Sequence, residues 1–114
     1  MIPRSLCVGL GLLAFMTMGS MTAAQSAGDA KAGRKKAAMC ATCHGIDGLS
    51  KMPAAPNIAG SPAIYLEKQI KAFRSAERKD EVMNVVTKPL SDQDIADLVA
   101  WYSSLEVNVT LPER

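Results

Sequence analysis

A chain of 114 residues with 13 basic and 11 acidic side chains allows one small domain and no second independent core. Its formal charge of +2 lacks the strong basic excess that a phosphate backbone demands, which argues against nucleic acid as a partner. A core of this size is commonly completed by a disulfide, a metal or a cofactor, because the area buried by roughly 100 residues barely offsets the entropy lost on ordering them.

Residues 1–24 read as a secretory signal peptide: a basic start at Arg4, an apolar run from Leu6 to Met18, and the small residues Ala23 and Ala24 at the end. A membrane anchor is the weaker alternative. Gly9, Gly11, Thr17 and Gly19 interrupt the run, which falls short of the roughly 20 residues a bilayer span needs. Cleavage near Ala24 removes Cys7 and Arg4, and leaves residues 25–114 as one domain with 12 basic and 11 acidic side chains, a charge of +1.

The rest of the chain carries three helical segments and no alternating, β-branched run, so an all-α domain is predicted. The first helix spans about Asp29 to Met39, with Asp29 at its N-terminus and Ala30, Gly33 and Ala37 forming a face of small residues. Gly33 would weaken an exposed helix by about 1 kcal/mol, so its presence points to close approach of another helix. From Gly45 to Gly60 the turn formers Gly48, Pro53 and Pro56 predict a long loop, and such a loop needs an apolar surface to cover. The second helix is expected to start at Ser61 as N-cap with Pro62 in the first turn, and to bury Leu66, Ile70 and Phe73. Lys68, Lys71 and Arg74, with Arg78 and Lys79 beyond, make a basic stripe, either a solvated face or a docking surface. In the last helix Ser91 and Asp94 have capping-box spacing, and Ile95, Leu98, Val99, Tyr102 and Leu105 follow at helical intervals. Tyr102 is expected to face Gly33 and Ala37, and residues 25–28 and 107–114 to be frayed tails.

The chemistry is concentrated in Cys40-Ala41-Thr42-Cys43-His44, which has the spacing for covalent c-type haem attachment: two thiols add to two vinyl groups while the adjacent imidazole reaches the iron. A thioredoxin-like dithiol needs a βαβ context that this pattern lacks. A structural zinc site needs four protein ligands, one more than this cluster holds. A Cys40–Cys43 disulfide would close a very small loop and leave the core without its filler.

The motif, the loop Pro56-Asn57-Ile58-Ala59-Gly60, the run from Tyr65 to Arg78, Met83, and Leu90-Ser91-Asp92 before the last helix together resemble the small soluble class I cytochromes c of bacteria. The likeness covers essentially all of residues 25–114. It extends to the monohaem periplasmic type and to one half of the dihaem periplasmic type. The resemblance implies a cytochrome c fold of three main helices and loops around one covalent haem c, held at Cys40 and Cys43, with His44 as one axial ligand. It implies a methionine as the other, for which Met83 is favoured over Met39 and Met52 because those two lie close to the proximal motif. In such proteins the imidazole donates its second N–H to a proline carbonyl in the following loop, which points to Pro56, with Pro53 as competitor. Arg78 is a weaker candidate for a haem propionate. Where well-known members carry an aromatic in the first helix, this chain has Lys36, so the contact with the last helix must be closer and smoother.

Two axial protein ligands close the iron, which suits single-electron transfer rather than catalysis. The function implied is a periplasmic electron carrier that is not itself an enzyme, serving membrane or soluble redox proteins as a monomer, with transient contact to membrane complexes. Lys51, Lys88 and the cations of the second helix are candidate docking charges. One alternative is a haem subunit bound to a larger dehydrogenase or sulfur-oxidising enzyme. Another is a gas-sensing or peroxidatic haem protein with an open sixth site.

Overall fold

The computed structural model describes residues 27–113; the expected signal segment, 1–24, lies outside them. Among the described residues there are five helices and no strand: α1 (Ala30–Lys36), α2 (Ala38–His44), α3 (Ala63–Arg74), α4 (Met83–Thr87) and α5 (Asp92–Ser103). The all-α expectation holds. None of these helices is long and apolar enough to cross a membrane.

Asp29 caps α1, its carboxylate accepting from the backbone N–H groups of Lys31 (2.7 Å) and Ala32 (3.1 Å). The helix does not stop at Met39 as expected. Ala37 interrupts the regular geometry for one residue, yet hydrogen bonds from Ala37 N to Gly33 O and from Ala41 N to Ala37 O, both 2.8 Å, carry the winding into α2. Nothing between Met39 and His44 breaks a helix; termination comes at Gly45, whose φ of +78° is open to glycine and costly for any other residue.

α3 begins one turn position later than predicted. Pro62 occupies the N-cap, and no side chain caps this end, so Ser61 does not serve as the cap. α3 ends at Ser75 with Ala76 in the left-handed region at φ +60°. At the start of α5 the capping box is complete: Ser91 Oγ accepts from Asp94 N (3.1 Å), and the Asp94 carboxylate accepts from Ser91 N (2.9 Å).

The core is α1, α3 and α5 packed around Ala37, Leu66, Ile95, Leu98, Val99 and Tyr102. Ile95 and Leu98 are 0 % and 2 % exposed, and burial at that level is worth about 1.5–3 kcal/mol for each such side chain. Tyr102 joins this cluster with Ala37, but Gly33 meets a different part of α5. A Cβ at Gly33 would collide with the backbone carbonyl of Asp97 and lie 3.0 Å from the Cβ of Trp101.

Lys36, set where an aromatic had been the comparison, joins the two helices electrostatically. Its ammonium lies 2.6 Å from Asp97 Oδ2 and 2.8 Å from Asp94 Oδ1. Asp97 is buried and fully engaged, accepting also from Asp29 N (2.8 Å) and Gln93 Nε2 (2.9 Å). The backbone N–H of Asp29 first, then Lys36 and Gln93, hold the Asp97 carboxyl at about 2. Lys36 first, then Ser91, hold Asp94 well below the usual carboxylate range. Residues 27–28 are therefore not a frayed end: Gly28 is half-buried against Ala96, and the next residue is tied to Asp97. At the other end, residues 107–113 carry no regular element and are exposed.

Candidate functional site

The site is built on α2. Cys40 and Cys43 are three residues apart and Cys40 and His44 four, so all three share one helical face. Both thiols are free and half-buried, and burial pushes the Cys40 thiol up, which favours its protonated form.

The segment after His44 is drawn against α5 by two bonds and folded back on α2 by a third. Tyr102 donates its buried hydroxyl to Gly45 O (3.0 Å), and the Trp101 indole N–H donates to Ile46 O (2.9 Å). Lys51 N then donates back to Cys43 O (2.8 Å), satisfying a carbonyl at the end of α2. Burial pushes the Tyr102 phenol above its ordinary range, which favours the neutral hydroxyl that donates. Sequence reasoning placed Tyr102 only against Gly33 and Ala37. The turn that Tyr102 and Trp101 clamp lies more than fifty positions away, and no local signal marks it.

His44 is buried, with Nδ1 2.8 Å from the carbonyl oxygen of Pro56. A carbonyl can only accept, so Nδ1 carries a proton, and in the neutral ring the lone pair then sits on Nε2. Nε2 makes no protein hydrogen bond, yet no buried side-chain nitrogen or oxygen among the described residues lacks a partner, so this atom faces accessible space. Pro53, the competitor, makes no such contact.

Met83 opens α4, which packs against α3, and is half-buried. Arg78 donates to Gln69 Oε1 (2.6 Å) and sits 4.5 Å from the centre of the Phe73 ring; its other guanidinium N–H groups take no protein acceptor. Thus His44, the two cysteines and Pro56 are brought together directly, whereas Met83 and Arg78 stand on the α3–α4 side. The cations expected to serve docking are largely engaged within the chain: Lys51 with Asp47, Lys71 with Glu67 and Arg74 with Asp92. Lys68 and Lys88 have no acidic partner among the described residues.

A covalent haem fits this donor set. It needs two free thiols on one helix face and an imidazole whose far nitrogen is reachable, and α2 supplies each. A zinc centre fits poorly, since no cluster of three or more His, Cys, Asp or Glu able to hold a metal ion forms among the described residues.

Comparison with known proteins bears on the same region. Residues 30–106 match the family model for cytochrome c. Cytochrome c-554(548) of Halomonas halodenitrificans is 48 % identical over 83 residues, which is 70 % of this chain and all of that one. Cytochrome c4 of Pseudomonas aeruginosa is 40 % identical over 98 residues, 86 % of this chain and 49 % of that one. The crystal structure of reduced recombinant cytochrome c4 from Pseudomonas stutzeri superposes with a TM-score of 0.68 at 40 % identity, covering 73 % of this chain and 48 % of its counterpart. This chain therefore spans the full length of the first relative and about half of each cytochrome c4. The helical architecture is the cytochrome c fold, and with a family match running from α1 past the end of α5, the chain belongs to the cytochrome c family, whose members carry covalently bound haem.

Proposed function

We propose that this protein is a periplasmic electron carrier with one haem c, joined through Cys40 and Cys43, and with His44 and Met83 as axial ligands to the iron. The observation that carries the reading is the 2.8 Å contact between His44 Nδ1 and the Pro56 carbonyl, beside two free thiols on the same helix. That contact fixes the tautomer with Nε2 available and orients the ring. The haem supplies an iron that exchanges a single electron.

The chain's own part is to hold the ring and the sulfur in place and to exclude other ligands. A neutral thioether opposite the imidazole favours the ferrous state and raises the potential relative to two nitrogen ligands. Arg78 has N–H groups without protein acceptors and is the proposed partner of a haem propionate. Lys68 and Lys88, unpaired, are the docking charges proposed for redox partners. Export rests on the composition of residues 1–24, with its basic start, apolar run and small-residue end.

A second reading is a haem subunit that passes electrons within a larger sulfur-oxidising complex. It is favoured by similarity to the thiosulfate dehydrogenase electron acceptor of Thiomonas intermedia, 38 % identical over 97 residues, which are 83 % of this chain and 44 % of that one. Elution as a monomer supports the free carrier, whereas stable co-purification with a larger chain supports the subunit.

Absorption spectra of the exported protein, oxidised and reduced, beside those of Met83→Ala test the ligand set. A c-type reduced spectrum with a weak far-red band in the oxidised wild type, lost in the variant, is the expected result. A band indifferent to the substitution, or carbon monoxide binding to the ferrous wild type, would reassign the sixth position and put a sensing or peroxidatic role first.

A further inference from the structure

Met83 stands at the head of α4, a helix of five residues, and so short a helix is not held by its own hydrogen bonds. Val82 at its N-cap offers no side-chain cap. Side chains outside the helical ladder do the holding. Asp80 Oδ1 accepts from Val82 N (3.0 Å) and from Met83 N (2.8 Å), and Thr87 Oγ1 donates to Met83 O (2.6 Å). Both backbone polar groups of Met83 are therefore occupied by neighbouring side chains.

This unit packs against α3, and Asn84 supplies the side-chain hydrogen bond from α4 to that helix. The Asn84 amide makes three hydrogen bonds to three backbone groups: its Oδ1 accepts from Asp80 N (2.8 Å), and its Nδ2 donates to Arg78 O (2.8 Å) and to Phe73 O (2.7 Å). Phe73 is a buried residue in the last turn of α3, so this bond fastens the Met83 unit to a rigid element. Every donor and the acceptor of the amide are used, a satisfied arrangement that allows one position of the loop between Phe73 and Met83.

We propose that Asn84 is a positioning residue for the sixth ligand: by fixing the Met83 backbone to the end of α3, it keeps the Met83 sulfur on the iron against competing ligands. This rests on the reading of Met83 as axial ligand. Removing the amide leaves α4 attached only through its packing, and the sulfur dissociates more readily from ferric iron.

The test is titration of the ferric holoprotein with imidazole, read with the far-red band, in wild type, Asn84→Ala, Asn84→Asp, Met83→Ala and Gly33→Ala. Asn84→Ala is expected to weaken the band and to bind imidazole about tenfold more tightly than wild type. Asn84→Asp, which sets a carboxylate oxygen against the Phe73 and Arg78 carbonyls in place of both donors, is expected to tighten imidazole binding at least as much as Asn84→Ala. Gly33→Ala disturbs the α1–α5 contact and controls for general destabilisation; it is expected to leave imidazole affinity unchanged. Where Asn84→Ala does not accumulate as holoprotein, Thr87→Val removes the hydroxyl donor to Met83 at constant shape and is expected to act in the same direction. Imidazole affinity within about twofold of wild type in the Asn84 and Thr87 variants, or an equal rise in Gly33→Ala, overturns the proposal. A wild type without the band and indistinguishable from Met83→Ala overturns the ligand assignment itself, and the proposal with it.

Discussion

Replacing Gly33 with alanine should destabilise the holoprotein, although the same change on an exposed helical face would stabilise it by about 1 kcal/mol. The sign is decided by what the new methyl group meets. A Cβ at position 33 would lie 2.5 Å from the Asp97 carbonyl carbon, closer still to its oxygen, and 3.0 Å from Trp101 Cβ, while ordinary contact begins at 3.4 Å. Two of these obstacles are backbone atoms of α5 and cannot rotate away, so α1 and α5 must separate by roughly 1 Å. Overpacking of this kind costs about 3 kcal/mol, the upper end of its usual range, which leaves a net loss of about 2 kcal/mol after the propensity gain. For a domain of this size that is a fall in Tm of about 8–16 °C. Thermal unfolding followed by far-ultraviolet circular dichroism measures it. An unchanged or raised Tm would refute the close approach of α1 and α5 as the reason for glycine.

Ala76→Gly should act in the opposite direction. Ala76 holds a φ of +60° at the end of α3, which costs an L-residue about 1–2 kcal/mol, and glycine removes that strain at a smaller entropic cost. The expected gain is about 0.5–1 kcal/mol, seen as a Tm higher by a few degrees; a lower Tm would show that the methyl group contributes packing there. Acid titration should display the Lys36 network. Asp94 and Asp97 have depressed folded-state values, so their contribution is present above the ordinary carboxylate range near 3.9 and is lost as pH falls towards about 2. Lys36→Met should raise the Asp94 midpoint more than that of Asp97, because Lys36 is the leading cause for Asp94 and the Asp29 N–H for Asp97. Carboxyl-carbon NMR resolves the two, and equal shifts would contradict that ranking.

Much of the helical plan was legible from local pattern, and its failures are local too. The Ser91–Asp94 capping box and the apolar repeat of α5 are read within one helix, where each residue's role depends on neighbours three or four positions away. The start of α3 was misread by one residue because both Ser61 and Pro62 are good helix-entry residues, and only the observed backbone distinguishes them. α4 was missed altogether: five residues are too few for a periodic signal, and its stabilising groups, Asp80, Asn84 and Thr87, read as ordinary polar residues along the chain.

The sequence by itself determined the class of chemistry: two thiols and an imidazole at the spacing of one helix face, in a chain too small to complete a core without a filler. Those properties reside in covalent spacing and composition and survive any detail of packing. Tertiary structure alone decided which carbonyl meets His44, that Lys36 bridges two carboxylates across α1 and α5, and that Tyr102 and Trp101 clamp the turn after the motif. Each of these joins residues between 12 and 61 positions apart, and such pairs become neighbours only once the apolar faces of α1, α3 and α5 have packed and fixed the distance between them.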